Sequence, residues 1–141
     1  MNRIVKWGGS ALLLAHGVVH AMGFLSAWEL ADVGEVGPPT FLLGDLPARH
    51  AALVAFGMLW LLAMLAFMMA AIGVALETSW GLPLAGIAAG FSLVPTIVWW
   101  QDAWFGALLD LAILGAVAWL GSQPGQTHGG SGVTASPSQG R

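Results

Sequence analysis

Four long runs of apolar residues, almost free of charge, make up most of the chain. Residues 7–28, 50–76 and 78–101 contain no Asp, Glu, Lys or Arg, and residues 103–120 contain only Asp110. A helix that crosses a bilayer needs ~20 predominantly apolar residues, and it must pair its backbone polar groups internally. None of the runs shows the alternation of a barrel strand. The pattern therefore predicts an all-α integral membrane protein with four spans, at about residues 7–28, 50–72, 80–100 and 103–120.

The connections between these runs predict how the helices pack. The first loop covers residues 29–49, whereas the other two loops are only a few residues long. Short connections place consecutive helices side by side and antiparallel, so we expect an up-down four-helix transmembrane bundle over residues 1–120. The tail, residues 121–141, is rich in Gly, Ser, Pro, Gln and Thr. We expect it to be disordered, because it cannot bury enough apolar surface to fold.

Composition agrees with a location in the bilayer. The chain is 57% hydrophobic and 8% charged, whereas soluble domains are ~25% charged. It has no cysteine, which excludes disulfides, thiolate metal ligands and a cysteine nucleophile. The formal net charge is −3, and no cluster of Lys or Arg provides a footprint for nucleic acid. The expected partner is the lipid bilayer, and a homo-oligomer or a complex with another membrane subunit stays open.

Basic residues near span ends predict the orientation, because Lys and Arg are enriched on the cytoplasmic side. Arg3 and Lys6 precede the first span, whereas loop 29–49 has only Arg49. We therefore expect a cytoplasmic N-terminus, an extracytoplasmic first loop and, after four spans, a cytoplasmic C-terminus. Histidines interrupt the first apolar run, so we expect a retained helix rather than a cleaved signal peptide. Abundant Ala, Gly, Leu and Val without Tyr is typical of a high-GC bacterium, and the predicted location is its cell membrane.

Ionisable side chains within the spans are costly and indicate a functional site. There are three, His16, His20 and Asp110, and His50 lies at the start of the second span. His16 and His20 are four residues apart and share one helix face. By residue count, His20 and Asp110 lie at one depth, ~10–12 Å below the outer surface. We predict a hydrogen bond from His20 or His16 to Asp110, in an outward-half pocket of His16, His20, Asp110, Thr96 and His50.

Three functions are open for this pocket. In the first, which we favour, a non-enzymatic membrane protein handles a proton or small ligand there, or serves as an accessory subunit, with no cofactor. In the second, an enzyme or redox component binds a metal, haem or quinone; His16, His20 and Asp110 could ligate one ion. The two histidines share a face and cannot be opposite axial ligands of one haem. In the third, the polar residues are interhelical contacts of a partner-binding scaffold, worth ~0.6 kcal/mol each on average.

Other residues mark the span ends and the helix contacts. Asp102 is expected as a solvated charge in the turn after the third span. Gly86 and Gly90 predict a close helix–helix contact, and Pro95 predicts a kink in the third helix. Tryptophans favour the membrane interface, and this is the expected position of Trp7, Trp28, Trp80, Trp99, Trp100 and Trp104.

The first span resembles the opening helix of many small four-helix bacterial membrane proteins, through residues 14–20, LAHGVVH, continued by Gly23 and Phe24. Over residues 1–120, the plan of four spans with a longer first loop also resembles the DoxX-like group. The resemblance implies the fold and leaves the activity open. That group typically has a basic residue in its first hydrophobic helix, where this chain has histidines, so no site residue is carried over.

Overall fold

The computed structural model describes residues 3–31 and 49–123. Within these ranges the chain forms four helices: α1 (Arg3–Ala27), α2 (Arg49–Ala75), α3 (Gly81–Val98) and α4 (Trp100–Gly121). All four are long and apolar enough to cross a membrane, which confirms the predicted all-helical chain with four candidate spans. Residues 32–48 of the first loop and 124–141 of the tail lie outside the described residues, so the disorder of the tail stays a prediction.

The bounds of the helices differ from those of the predicted spans. α1 begins at Arg3, ahead of the predicted start at residue 7, and only Trp99 separates α3 from α4. The prediction that Asp102 lies in a turn between helices was therefore wrong, whereas its exposure agrees with the predicted solvated charge. Asp102 lies in the first turn of α4, where a carboxylate complements the positive end of the helix, and its side chain is exposed.

α1 and α2 end in the same backbone motif. Glu29 and Glu77 follow the last turns of these helices, and each has a φ of 54°. In this Schellman ending an amide bonds to the carbonyl five positions back, and the left-handed position is usually glycine. The bonds are Leu30 N–H to Leu25 O in α1 and Thr78 N–H to Gly73 O in α2, both at 2.9 Å.

Trp99 lies in the protein interior. Its side chain is 4% exposed, and its ring centroid lies 5.0 Å from that of Phe56 and 6.4 Å from that of Trp60. The prediction that Trp99 is an interfacial anchor was wrong, because its ring faces inward and packs on Phe56 and Trp60 of α2. The neighbouring Trp100 and Trp104 are about half exposed, at 51% and 49%.

Small residues set the spacing between helices. A Cβ built on Gly17 of α1 would lie 3.0 Å from Phe67 Cβ and 3.2 Å from the carbonyl oxygen of Met64, so α1 packs directly on α2. The close contact predicted at Gly86 and Gly90 exists only at Gly86, where a Cβ would lie 3.3 Å from a methyl group of α4; at Gly90 nothing lies within 4 Å.

Gly17→Ala is expected to lower the free energy of unfolding by about 1–3 kcal/mol, because the added methyl group must push α1 away from the backbone of α2. Thermal unfolding in detergent micelles measures this. Gly90→Ala is the matched control, with open space for the methyl group, and it should be neutral or stabilising by up to about 1 kcal/mol. Equal effects of the two substitutions would contradict close packing at Gly17.

Two polar contacts join α1 to the α2 region at opposite ends. Lys6 Nζ lies 2.8 Å from Glu77 Oε1, and this hydrogen bond and the charge of Lys6 hold the pKa of the Glu77 carboxyl below its usual range. At the other end, Trp28 Nε1 donates to the carbonyl oxygen of Val54 at 3.2 Å. The two contacts fix α1 at both of its ends.

Candidate functional site

A buried hydrogen bond links the first helix to the last. His16 Nε2 lies 2.8 Å from Asp110 Oδ1, and the two residues are 4% and 0% exposed. The interhelical bond to Asp110 expected from the sequence is therefore present, and His16 is the partner. His16 lies eleven residues before the end of α1 and Asp110 ten residues after the start of α4, so both are ~15 Å from those helix ends.

His20, one turn further along α1, has a different set of partners. Its Nδ1 lies 2.9 Å from the carbonyl oxygen of His16, and its Nε2 lies 2.6 Å from Ser92 Oγ of α3. A carbonyl oxygen can only accept, so Nδ1 carries a proton and donates it. In the neutral ring Nε2 is then an acceptor, and the Ser92 hydroxyl donates to it. His20 therefore ties α1 to α3, whereas His16 ties α1 to α4.

Ser92 is a site residue that the sequence analysis missed. It is 0% exposed, and a buried hydroxyl at mid-helix needs a partner, which the His20 ring provides. The signal was its position four residues before Thr96, which places both on one face of α3. A serine is common enough in membrane helices that this spacing alone does not single it out.

Thr96 lies near this network and does not contact the histidines through its hydroxyl. Its Oγ1 lies 2.9 Å from the carbonyl oxygen of Ser92 and 3.2 Å from that of Leu93, so the hydroxyl donates to the backbone of its own helix. The side chain is 1% exposed. The fifth predicted pocket residue, His50, is in the first turn of α2, and its side chain lies outside the described residues.

Aromatic rings of α2 enclose the two histidines. The Phe67 ring is 0% exposed and its centroid lies 4.7 Å from that of His16 and 5.3 Å from that of His20. Trp60 packs on His20 at 5.2 Å and covers Gly23, the next small residue on the same face of α1. The histidine rings themselves meet edge to face at 4.7 Å. Contacts on several sides fix the orientation of both rings.

The second oxygen of the Asp110 carboxyl is buried without a partner. Among the described side chains, those of residues 3–31 and 51–123, Asp110 Oδ2 is the one buried nitrogen or oxygen atom that has no hydrogen bond. A buried carboxylate with a single donor is far from the two or three hydrogen bonds that stabilise its charge. The site therefore has one unsatisfied acceptor, adjacent to the bond between His16 and Asp110.

Comparison of the chain with protein-family models, curated proteins and solved structures gives no match. The function is therefore inferred from the geometry of the site, and the DoxX-like resemblance stays a prediction.

The geometry does not gather His16, His20 and Asp110 around one point. No group of three His, Cys, Asp or Glu side chains in the described part of the chain is arranged to hold a metal ion. Both ring nitrogens of His20 already have partners, the His16 carbonyl and the Ser92 hydroxyl. What the arrangement offers is a histidine and a carboxyl group that can share a proton across 2.8 Å.

Proposed function

We propose that this chain is a non-enzymatic multi-pass protein of the cell membrane whose buried pair, His16 and Asp110, holds a proton. In this proposal the four helices form an antiparallel up-down bundle, with both termini on the cytoplasmic side.

The membrane location is supported by the apolar side chains on the outside of the helices. Ile4 is 80% exposed, and Ile87 and Phe105 are each 67% exposed. Large exposed apolar surfaces on a soluble protein lead to association, whereas lipid chains solvate them well. The antiparallel arrangement of α1 and α2 is supported by their end contacts, Lys6 with Glu77 and Trp28 with Val54.

The observation that carries the proton proposal is the surroundings of the Asp110 carboxyl. It is 0% exposed, it contacts one ring nitrogen through Oδ1, and its Oδ2 is the unsatisfied acceptor described above. With a neutral imidazole and an ionised carboxyl, the pair carries a net charge of −1 in apolar surroundings, which is costly. One further proton, on the imidazole or on the carboxyl, makes the pair neutral. We expect the pair to hold that proton.

The hydrogen-bond pattern favours a local proton site over a through-going relay. His20 bonds to the backbone carbonyl of His16 and not to its ring, and a carbonyl oxygen does not pass a proton on. The hydroxyl of Thr96 is likewise bonded to its own helix. In this proposal the proton therefore stays between His16 and Asp110 and is not passed along α1 or α3.

Infrared difference spectroscopy of the protein in lipid bilayers tests this proposal. The carboxyl stretching band of Asp110 should shift in His16→Gln, because Oδ1 loses the imidazole ring with which it shares the proton. The band should vanish in Asp110→Asn, which has no carboxyl group at this position. Asp102→Asn is the matched control, since this exposed carboxyl lies two residues into α4; it should leave the band unchanged. A band that does not respond to His16→Gln would rule out a shared proton.

A purely structural role is the second candidate. The two buried bonds tie α1 to α3 and to α4, and such bonds also set helix register. Under this alternative the carboxyl band of Asp110 does not respond to His16→Gln, and the substitutions alter stability alone.

A further inference from the structure

A cleft between the first and last described helices lies along α1 on the N-terminal side of His16, and neither histidine lines it. It is partly open to the outside of the protein, has a volume of about 170 Å³ and has almost exclusively apolar walls. One wall is α1, through Val5, Gly9 and Leu12, and the other is α4, through Ala112 and Ala116. Residues of α2 and α3, including Val74 and Ala85, form its floor.

The cleft exists because its walls carry small residues. Gly9 has no side chain, and nothing lies within 4 Å of a Cβ built there. Ala112 and Ala116, one turn apart on α4, contribute only methyl groups opposite it. The cleft is therefore a consequence of the small residues on both of its walls.

The dimensions suit one slender chain. From Val5 to Leu13 the α1 wall is ~12 Å long, close to the ~15 Å depth of one leaflet of the hydrocarbon core. Ligand pockets for compact molecules enclose ~300–1,000 Å³, so a volume of about 170 Å³ favours a single hydrocarbon chain. Leu13 and Ile113, 5% and 6% exposed, line the end next to His16 and Asp110.

Among the described residues, the charged side chains nearest in sequence to the other end of the cleft are mainly basic, and none of them lines it. Arg3 is exposed two residues before Val5, and Lys6 is one residue beyond it. Glu77 pairs with Lys6, so Arg3 is the excess positive charge among these described residues. The facing end of α4 has no charged residue from 111 to 123. Phosphate groups of anionic lipids are attracted by such juxtamembrane basic residues.

We propose that this cleft, defined by Val5, Gly9, Leu12, Ala112 and Ala116, binds an anionic phospholipid from the leaflet at the N-terminal end of α1. One acyl chain occupies the cleft, and the phosphate lies at Arg3. The proposal rests on the bilayer location proposed above and is independent of the proton held by His16 and Asp110.

Native mass spectrometry after purification from bilayers of equal phosphatidylglycerol and phosphatidylcholine tests the site. The unaltered chain should retain one phosphatidylglycerol. Gly9→Leu fills the cleft and should reduce retention at least tenfold. Gly8→Leu is the matched control: Gly8 is the preceding residue, is exposed, also has open space around it and does not line the cleft, so retention should be unchanged.

The charge contribution is tested at Arg3. Arg3→Gln should reduce the preference for phosphatidylglycerol about fivefold, whereas Arg3→Lys should keep it. Equal retention of the two lipids by the unaltered chain, or equal retention by Gly9→Leu and Gly8→Leu, overturns the proposal. If Gly9→Leu does not fold, Ala116→Leu fills the cleft from the opposite wall, and it should reduce the retention of phosphatidylglycerol in the same way.

The two proposals fail in distinguishable ways. Loss of lipid retention in Gly9→Leu with an unchanged Asp110 carboxyl band supports the lipid site independently of the proton site. Recovery of the chain outside the membrane fraction would remove the bilayer location and the lipid site with it.

Discussion

His16→Leu is expected to lower the free energy of unfolding by about 3 kcal/mol, which is the largest effect that we expect from a single substitution at the site. The substitution removes the one hydrogen-bond partner that Asp110 Oδ1 has in the described part of the chain, and it leaves both carboxyl oxygens there without a partner. Breaking a buried ion pair by removal of one partner typically costs about 3–5 kcal/mol. Reversible unfolding in mixed micelles, followed by circular dichroism, measures the change.

A variant with both His16→Leu and Asp110→Leu tests whether this loss of stability comes from an unpaired buried carboxyl. Because His16→Leu with Asp110→Leu removes both polar groups, it should be more stable than His16→Leu alone. The two singles and the double form a cycle whose coupling energy isolates the pair. Single-substitution costs of only ~0.6 kcal/mol, with no coupling, would match the average interhelical hydrogen bond and contradict a buried shared proton.

Phe67→Ala is expected to have the second large effect. The Phe67 ring contacts both histidine rings and is 0% exposed, so its removal leaves a cavity against the site. Core Phe-to-Ala substitutions cost about 3–5 kcal/mol in soluble proteins. In lipid the transfer part of that cost is reduced and the lost packing remains, so we expect about 2–3 kcal/mol in the same unfolding assay.

Phe105→Ala is the control for this substitution. Phe105 is 67% exposed on α4, so its truncation should change stability by less than about 0.5 kcal/mol. Phe67→Ala should also move the ring-proton resonances of both histidines, whereas Phe105→Ala should not. Unchanged histidine resonances in Phe67→Ala would show that the ring contacts do not position the site.

The sequence was sufficient to predict the four helices and the helix face that His16 and His20 share. Long charge-free runs predict four apolar helices because the required length and composition are read directly from the chain. The spacing of His16 and His20 likewise places them on one face. The depth of Asp110 was misjudged by one turn, because α1 and α4 begin and end at residues that hydropathy does not define. His16, rather than His20, is therefore the partner of Asp110.

The partners of His20 could not be predicted in the same way. Ser92 and Trp60 reach the ring from other helices, and which faces of α2 and α3 turn inward depends on packing rather than on periodicity. All helices here are apolar on every side, so the usual contrast between a buried and a solvated face is missing. For the same reason Trp99 could not be told apart from the exposed tryptophans near it.

The bond between His16 and Asp110 joins residues that are 94 positions apart in the chain. At synthesis rates of about 5–20 residues per second, His16 emerges roughly 5–20 s before its partner exists. During that interval the ionisable side chains in the middle of α1 are the two imidazoles of His16 and His20, and no carboxyl group accompanies them. The carboxyl, whose ionised form is far more costly there, is made last and meets a base already in place. The order of the two residues along the chain thus spares the nascent protein a solitary buried acid.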